Sequence, residues 1–201
     1  MILLCVALEA ELPHNKLPPT SSVVYTGVGK VQAATALAKK LNSYYKPDLI
    51  VNYGTAGGLN PMLKGMYEIG EFVQRDMIAE PQAPRGTVPF SDPILSDIKT
   101  AAPTMQVRCG TGDSFVMKPD PWFVTADIDC VDMEGYALAY VAQSYNIPFR
   151  SFKYISDMAD ENAAEEWANN VAAGAQQFLE LWADVGGTFT DCIVIDGSTR
   201  Y

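Results

Sequence analysis

Only one histidine, His14, occurs in 201 residues. A multi-histidine metal site is therefore excluded. Any Ser-His-Asp or Cys-His arrangement would have to use His14, which sits in a proline-rich stretch, HNKLPP, that reads as a surface loop. Cysteine is sparse as well: Cys5, Cys109, Cys130 and Cys192 show no CxxC spacing. Three of them lie in apolar, strand-like runs, where free cysteine behaves as a small buried hydrophobe, so a reduced, cytoplasmic protein is expected. Basic residues are outnumbered, 14 Lys and Arg against 24 Asp and Glu, for a formal net charge of −10. That argues against nucleic acid as a partner, because phosphate binding needs clustered Lys and Arg. The longest early apolar run, residues 2–8, is far shorter than the ~20 residues a membrane helix needs. It has no basic flank before it and meets Glu9 and Glu11 soon after, so neither a membrane partner nor a secretory signal is expected. No repeat with a period of roughly 20–50 residues is visible.

What is present is an ordinary globular balance, 48% hydrophobic and 19% charged, at a length suited to one sizeable core. Residues 2–8 (ILLCVAL) are too few for a helix and too uniformly apolar for a half-exposed strand. They read as a strand buried on both faces, as in a central parallel sheet. Residues 23–25 form a second strand. Then comes a helix with Val31, Ala34, Leu37, Ala38, Leu41 and Tyr45 on one face, stopped by Pro47. Residues 48–52 form a third strand, entering a tight turn at Gly54-Thr-Ala-Gly-Gly58. Strand, helix and strand in about thirty residues is a βαβ unit. A strand at 71–75, an irregular proline-rich stretch at 81–93, a strand end at 130–133 running straight into a helix at 134–145, a strand at 148–155 and a last helix over 161–182 complete the pattern. The expected fold is α/β, one domain with a central mixed, largely parallel sheet flanked by helices.

In such sheets ligands gather at the carboxyl ends of the strands. Four polar clusters fall there: Glu9 with Glu11; Thr55 among its glycines; Asp132 with Glu134; and Ser156, Asp157 and Asp160. With histidine so scarce, carboxylates are the candidates for general acid and base. Two carboxylates in unlike surroundings can divide those roles, as cleavage of a glycosidic bond requires. Gly27-Val-Gly-Lys30 is not a nucleotide-triphosphate loop, since Val31 stands where Ser or Thr is needed and Val24 where a glycine is needed. A tight strand-to-helix turn is the better reading.

Six segments, in order, resemble the purine nucleoside phosphorylase/nucleosidase superfamily, and most closely the 5′-methylthioadenosine/S-adenosylhomocysteine nucleosidases. They are VALEAEL (6–12), TGVGKVQAA (26–34), PDLIVNYGTAGGL (47–59), GTGDSFV (110–116), VDMEGYALAYVA (131–142) and PFRSFKYISDMAD (148–160). The resemblance implies a nucleoside phosphorylase-like fold over 1–182, no cofactor, no metal, a homodimer, and an adenine nucleoside as substrate. It also implies roles. Asp157 is the acid that protonates N7 of the departing purine, and Glu11 is the base that activates water. Glu134 binds the ribose hydroxyls, and Met133 packs against the sugar. Thr55 stands near Glu11 and the water, Phe115 stacks on adenine, the Val116 backbone reads the base edge, and Ser156 holds the acid.

Two features bear on the reaction. An aspartate is ordinarily ionised at neutral pH, so Asp157 must be desolvated or take up its proton with the substrate. Lys153, where the family more often has arginine, is expected to pair elsewhere, because a cation beside Asp157 would favour its ionised form. A phosphorylase of the same superfamily would need arginines early in the chain. The first arginine here is Arg75, and Glu11 would repel phosphate, so hydrolysis is preferred. The alternatives are phosphorolysis, or a noncatalytic nucleoside-binding protein that keeps the pocket.

Three departures from the resemblance stand out. The stretch between Glu11 and Tyr25 is short, residues 76–92 replace a segment that helps cover the 5′ substituent, and the tail 183–201 looks like an orphan ATPase phosphate loop without the domain it would serve.

Overall fold

Alternation along the first strand shows how the layers are built. In β1 (Ile2–Val6), Leu3 and Cys5 enter one apolar cluster and Leu4 and Val6 enter another, all fully buried. A strand that buries both faces needs helices on both sides, and the chain supplies them. The first cluster is covered by α1 (Lys30–Asn42) and α3 (Gly135–Ser144). The second is covered by α4 (Ala163–Asp184), through Ala175, Phe178 and Leu181. This computed structural model describes residues 1–19, 21–43, 46–91, 97–102 and 107–184.

The remaining strands are β2 (Ser22–Tyr25), β3 (Leu49–Gly58), β4 (Gly65–Glu68), β5 (Glu71–Gln74), β6 (Asp97–Lys99), β7 (Arg108–Thr111), β8 (Cys130–Asp132) and β9 (Phe149–Asp157), with a short helix α2 (Trp122–Thr125) before β8. Among the described residues they form one nine-stranded sheet, ordered β2-β1-β3-β8-β7-β5-β6, with β9 pairing β3 and β4. Five of its eight pairings are parallel, which makes the sheet mixed and largely parallel, as the sequence predicts.

β3 decides where a ligand can sit. One of its edges pairs β9 from Ile50 to Gly57. The other pairs β1 over Leu49–Asn52 and then β8 at Gly57 and Gly58, running the opposite way. Between those two partners the edge is open. A crevice at such a change of strand partner is where α/β sheets take ligands.

Several expectations are corrected. Gly54-Thr-Ala-Gly-Gly58 is not a turn but the second half of β3, with a register shift between Ala56 and Gly57. The glycines are needed because neighbours press on the strand. A Cβ at Gly57 would lie 2.9 Å from Asp157 Oδ1, and one at Gly58 would lie 2.9 Å from Ile155 Cγ2. In α1 the buried stripe is Ala33, Leu37 and Leu41, with Ala34 and Ala38 packed beside it, whereas Val31 is 76% exposed. Tyr45 lies outside the described residues. The strands β4, β6 and β7 are not among those read from the sequence. The final helix reaches Asp184, and the phosphate-loop-like stretch after it also lies outside the described residues. Cys5, Cys109 and Cys130 are buried free thiols, as expected; Cys192 is outside the described residues. His14 is exposed, in a 3₁₀ turn at His14–Lys16.

Candidate active site

The open stretch of the β3 edge borders a cavity of about 250 Å³. Glu11 reaches it from the loop after β1, Thr55 from β3, and Phe115 and Val116 from the loop after β7. Met133 and Glu134 come from the turn between β8 and α3, and Ser156 and Asp157 from the end of β9. The eight residues given a role by the resemblance thus line one cavity; of the other residues in the strand-end clusters, Asp132 lines it too, whereas Glu9 and Asp160 do not.

Glu11 is buried and surrounded by donors. Its Oε1 accepts the Thr55 N–H at 2.9 Å and the Thr55 hydroxyl at 2.8 Å, and its Oε2 accepts the Leu8 N–H at 3.2 Å. Such contacts suit a carboxylate that acts as an acceptor. Asp157 lies in different surroundings. Burial pushes its carboxyl above the usual range, against the opposing effect of two hydrogen bonds. These come from the Ser156 hydroxyl, 2.8 Å from Oδ2, and the Ala159 N–H, 3.0 Å from Oδ1. The two carboxyl groups thus sit in unlike surroundings within one cavity.

Glu134 is the N-cap residue of α3, and its Oε1 accepts the Gly29 N–H at 2.8 Å, at the start of α1. Burial, reinforced by the charge of Asp132, raises its pKa to about 7. Lys153 does pair elsewhere, as expected: its Nζ lies 2.8 Å from Asp132 Oδ2. Burial works against the charge of Asp132, but the ammonium holds its carboxyl below the usual range. The same contact lifts Lys153 above its ordinary value, although burial alone would lower it. Asp132 also accepts the Gly135 N–H at 2.8 Å and the Thr111 hydroxyl at 2.5 Å, so the turn carrying Met133 and Glu134 is tied to three strands.

Phe115 is 48% exposed at the mouth, and Val116 packs against the cluster of Val73, Phe123 and Ile128. Their loop is held by Arg75, a lining residue that sequence reasoning did not assign to the site. Its Nε donates to Gly110 O, Nη1 to Ser114 Oγ, and Nη2 to Gly112 O and Ser114 O. Four of the five guanidinium donors are thus spent on the protein itself. Trp167 of α4 also lines the cavity without having been assigned to the site; its indole N–H donates to Thr55 Oγ1 at 2.9 Å. Nothing at a strand end announces it, since a tryptophan on a helix face reads as core packing.

The glycine turn before α1 is explained by the same geometry. Gly27 and Gly29 hold φ of 77° and 89°, which glycine adopts without strain. The amides at this helix start meet Glu134 and, at 2.7 Å, Asp113 Oδ1. Carboxylates of the protein occupy the place a phosphate would take in a nucleotide loop.

The model of the phosphorylase superfamily matches residues 19–188. The 5′-methylthioadenosine/S-adenosylhomocysteine nucleosidase of Tolumonas auensis is 31% identical over 184 residues, covering 77% of this chain and 74% of that protein. The enzyme of the same name from Listeria innocua is 29% identical over 218 residues, covering 84% of this chain and 90% of its own. Among solved structures, the Helicobacter pylori 5′-methylthioadenosine/S-adenosyl homocysteine nucleosidase in complex with a pyrrolopyrimidine-bearing pyrrolidinol superposes with a TM-score of 0.81 at 20% identity. It covers 92% of this chain and 97% of its own.

Proposed function

The chain belongs to the phosphorylase superfamily, among its 5′-methylthioadenosine/S-adenosylhomocysteine nucleosidases, and from that premise we propose that it hydrolyses the N-glycosidic bond of an adenine nucleoside. The products are adenine and the free ribose derivative. 5′-Methylthioadenosine and S-adenosylhomocysteine are the first substrates to test, because the relatives bear those names.

One observation supports this reading most directly. A carboxylate surrounded by donors, Glu11, and a carboxyl raised by burial, Asp157, line the same cavity as Glu134. In the step this suits, the C1′–N9 bond breaks and its electron pair passes into the purine. Asp157 delivers a proton to N7, so adenine leaves neutral. Water forms the new C1′–O bond and gives its proton to Glu11. The ionised form of Glu134 would hold the ribose hydroxyls and stabilise the oxocarbenium-like sugar between the two events. Met133 packs against the sugar, Phe115 stacks on the base, the Val116 backbone reads its edge, and Ser156 holds the acid.

Phosphorolysis is disfavoured by where the cations and amides are spent. Arg75 gives four donors to its own loop, Lys153 is bound to Asp132, and the start of α1 is filled by carboxylates. The enzyme would work as a homodimer in the cytoplasm, feeding methionine salvage.

The test is to incubate the protein with methylthioadenosine, S-adenosylhomocysteine, adenosine and inosine, with and without phosphate. Free adenine and a reducing ribose derivative are expected at a rate indifferent to phosphate. Phosphate-dependent release of a ribose-1-phosphate would establish the phosphorylase instead, and no base from any of the four would leave a binding protein.

A further inference from the structure

The first turns of α4 are fastened to the strand ends that carry the site. Glu166 Oε2 accepts the Met158 N–H at 3.2 Å, and Asn170 Nδ2 donates to Ser156 O at 2.8 Å. Between them in sequence, Trp167 donates its indole N–H to Thr55 Oγ1 at 2.9 Å. The same hydroxyl lies 2.8 Å from Glu11 Oε1.

Hydrogen-bond chemistry gives this chain a direction. An indole nitrogen can only donate, so at that contact Thr55 must accept. A hydroxyl has one proton, and the remaining contact, to Glu11, takes it. Without the indole, the hydroxyl is free to rotate and donate elsewhere, for instance to water in the cavity. Glu11 Oε1 then loses one of its two donors, and the direction of the lone pair left for water is no longer set.

We propose that Trp167 is a positioning residue for Glu11, acting through the Thr55 hydroxyl. The proposal rests on the reading of Glu11 as the base that activates water. Because the relay orients the base and not the nucleoside, its loss should appear in turnover and not in substrate binding.

The test is methylthioadenosine hydrolysis by wild type, Trp167→Phe, Thr55→Val and the double variant. Trp167→Phe keeps an aromatic ring in the cavity wall and removes the donor. A kcat about tenfold lower is expected, with KM within about twofold, in line with the modest net value of one hydrogen bond. In the Thr55→Val background the same change should cost almost nothing more, since the relay is already broken. Site-specific incorporation of benzothienylalanine at position 167, which replaces the N–H by sulfur at nearly unchanged shape, should reproduce the loss without disturbing packing.

Wild-type kcat in both position-167 variants would overturn the proposal while leaving the nucleosidase reading intact. An equal loss in the Thr55→Val background would also overturn it, by showing that the ring acts through packing. A wild type that releases no adenine would overturn both.

Discussion

Glu134 shows how one side chain can carry opposite demands. Its pKa is raised from 4.5 to about 7, first by burial and then by the charge of Asp132. The unfolded chain gives up this proton near 4.5, whereas the folded chain keeps it until about 7. In that window the folded state binds more protons, so its stability falls as pH rises. The stabilising contribution is complete below 4.5 and gone above 7. Glu134→Gln keeps an acceptor for the Gly29 N–H and removes the titration. Urea denaturation should find the variant more stable than wild type above about pH 8, by an amount of the order of 3 kcal/mol, and the two closer together near about pH 5. For the reaction the sign is reversed. If Glu134 binds the ribose hydroxyls in its ionised form, as proposed, KM should rise as pH falls below 7 in the wild type, and that slope should vanish in the variant.

At this scale the sequence was informative about identity and silent about state. Glu11, Thr55, Glu134 and Asp157 could be picked out because strand ends are where such folds place polar groups. Which carboxyl is raised could not be read, since it depends on neighbours that arrive from other strands.

Among the elements, β3 carries the largest difference between expectation and structure. Its glycines look like a turn in sequence because local propensity favours that reading. They are strand because β9 and the Glu11 loop press against the backbone: a Cβ at Gly54 would lie 3.2 Å from Lys153 Nζ and 3.4 Å from Glu11 Oε1. A Cβ at Gly57 would meet Asp157 Oδ1 at 2.9 Å, Ala159 Cβ at 3.1 Å and Val131 Cγ2 at 3.3 Å. Gly57→Ala should therefore displace the acid. We expect a fold that survives with a loss of about 1–3 kcal/mol, as overpacking typically costs, and a fall in kcat well beyond what that loss explains. Thermal melts alongside steady-state kinetics check both parts. An unchanged kcat would mean that Asp157 has room to move without consequence. The missed α4 contacts have a similar origin. The sequence predicts that this helix exists, but not that Trp167 turns an N–H toward a threonine more than a hundred residues earlier in the chain.

The whole molecule is joined at the Lys153–Asp132 pair. β9 lies on one side of β3 and β8 on the other, and the pair crosses between them with both side chains almost fully buried. Removing one partner strands a charge in the core, at a typical cost of about 3–5 kcal/mol. Lys153→Met should lower the melting temperature by about 10 °C for a domain of this size. Replacing Asp132 as well, with Leu, should recover much of the loss, because an apolar pair leaves no orphan charge. Calorimetry on the single and double variants measures this. A double variant no more stable than the single one would assign the loss to the Gly135 and Thr111 contacts of Asp132.

What the sequence determined by itself was the class of fold and the type of chemistry. Buried strands and amphipathic helices are written in local hydrophobic periodicity, and in a chain with one histidine carboxylates are the first candidates for acid and base. What only the tertiary structure decided was the set of contacts: which buried carboxyl is raised, which cation is spent, which turn is strand, and which helix reaches Thr55 beside Glu11. Those depend on distances of about 3 Å between residues far apart in sequence, and desolvation and charge coupling at that range exist only once the chain has folded.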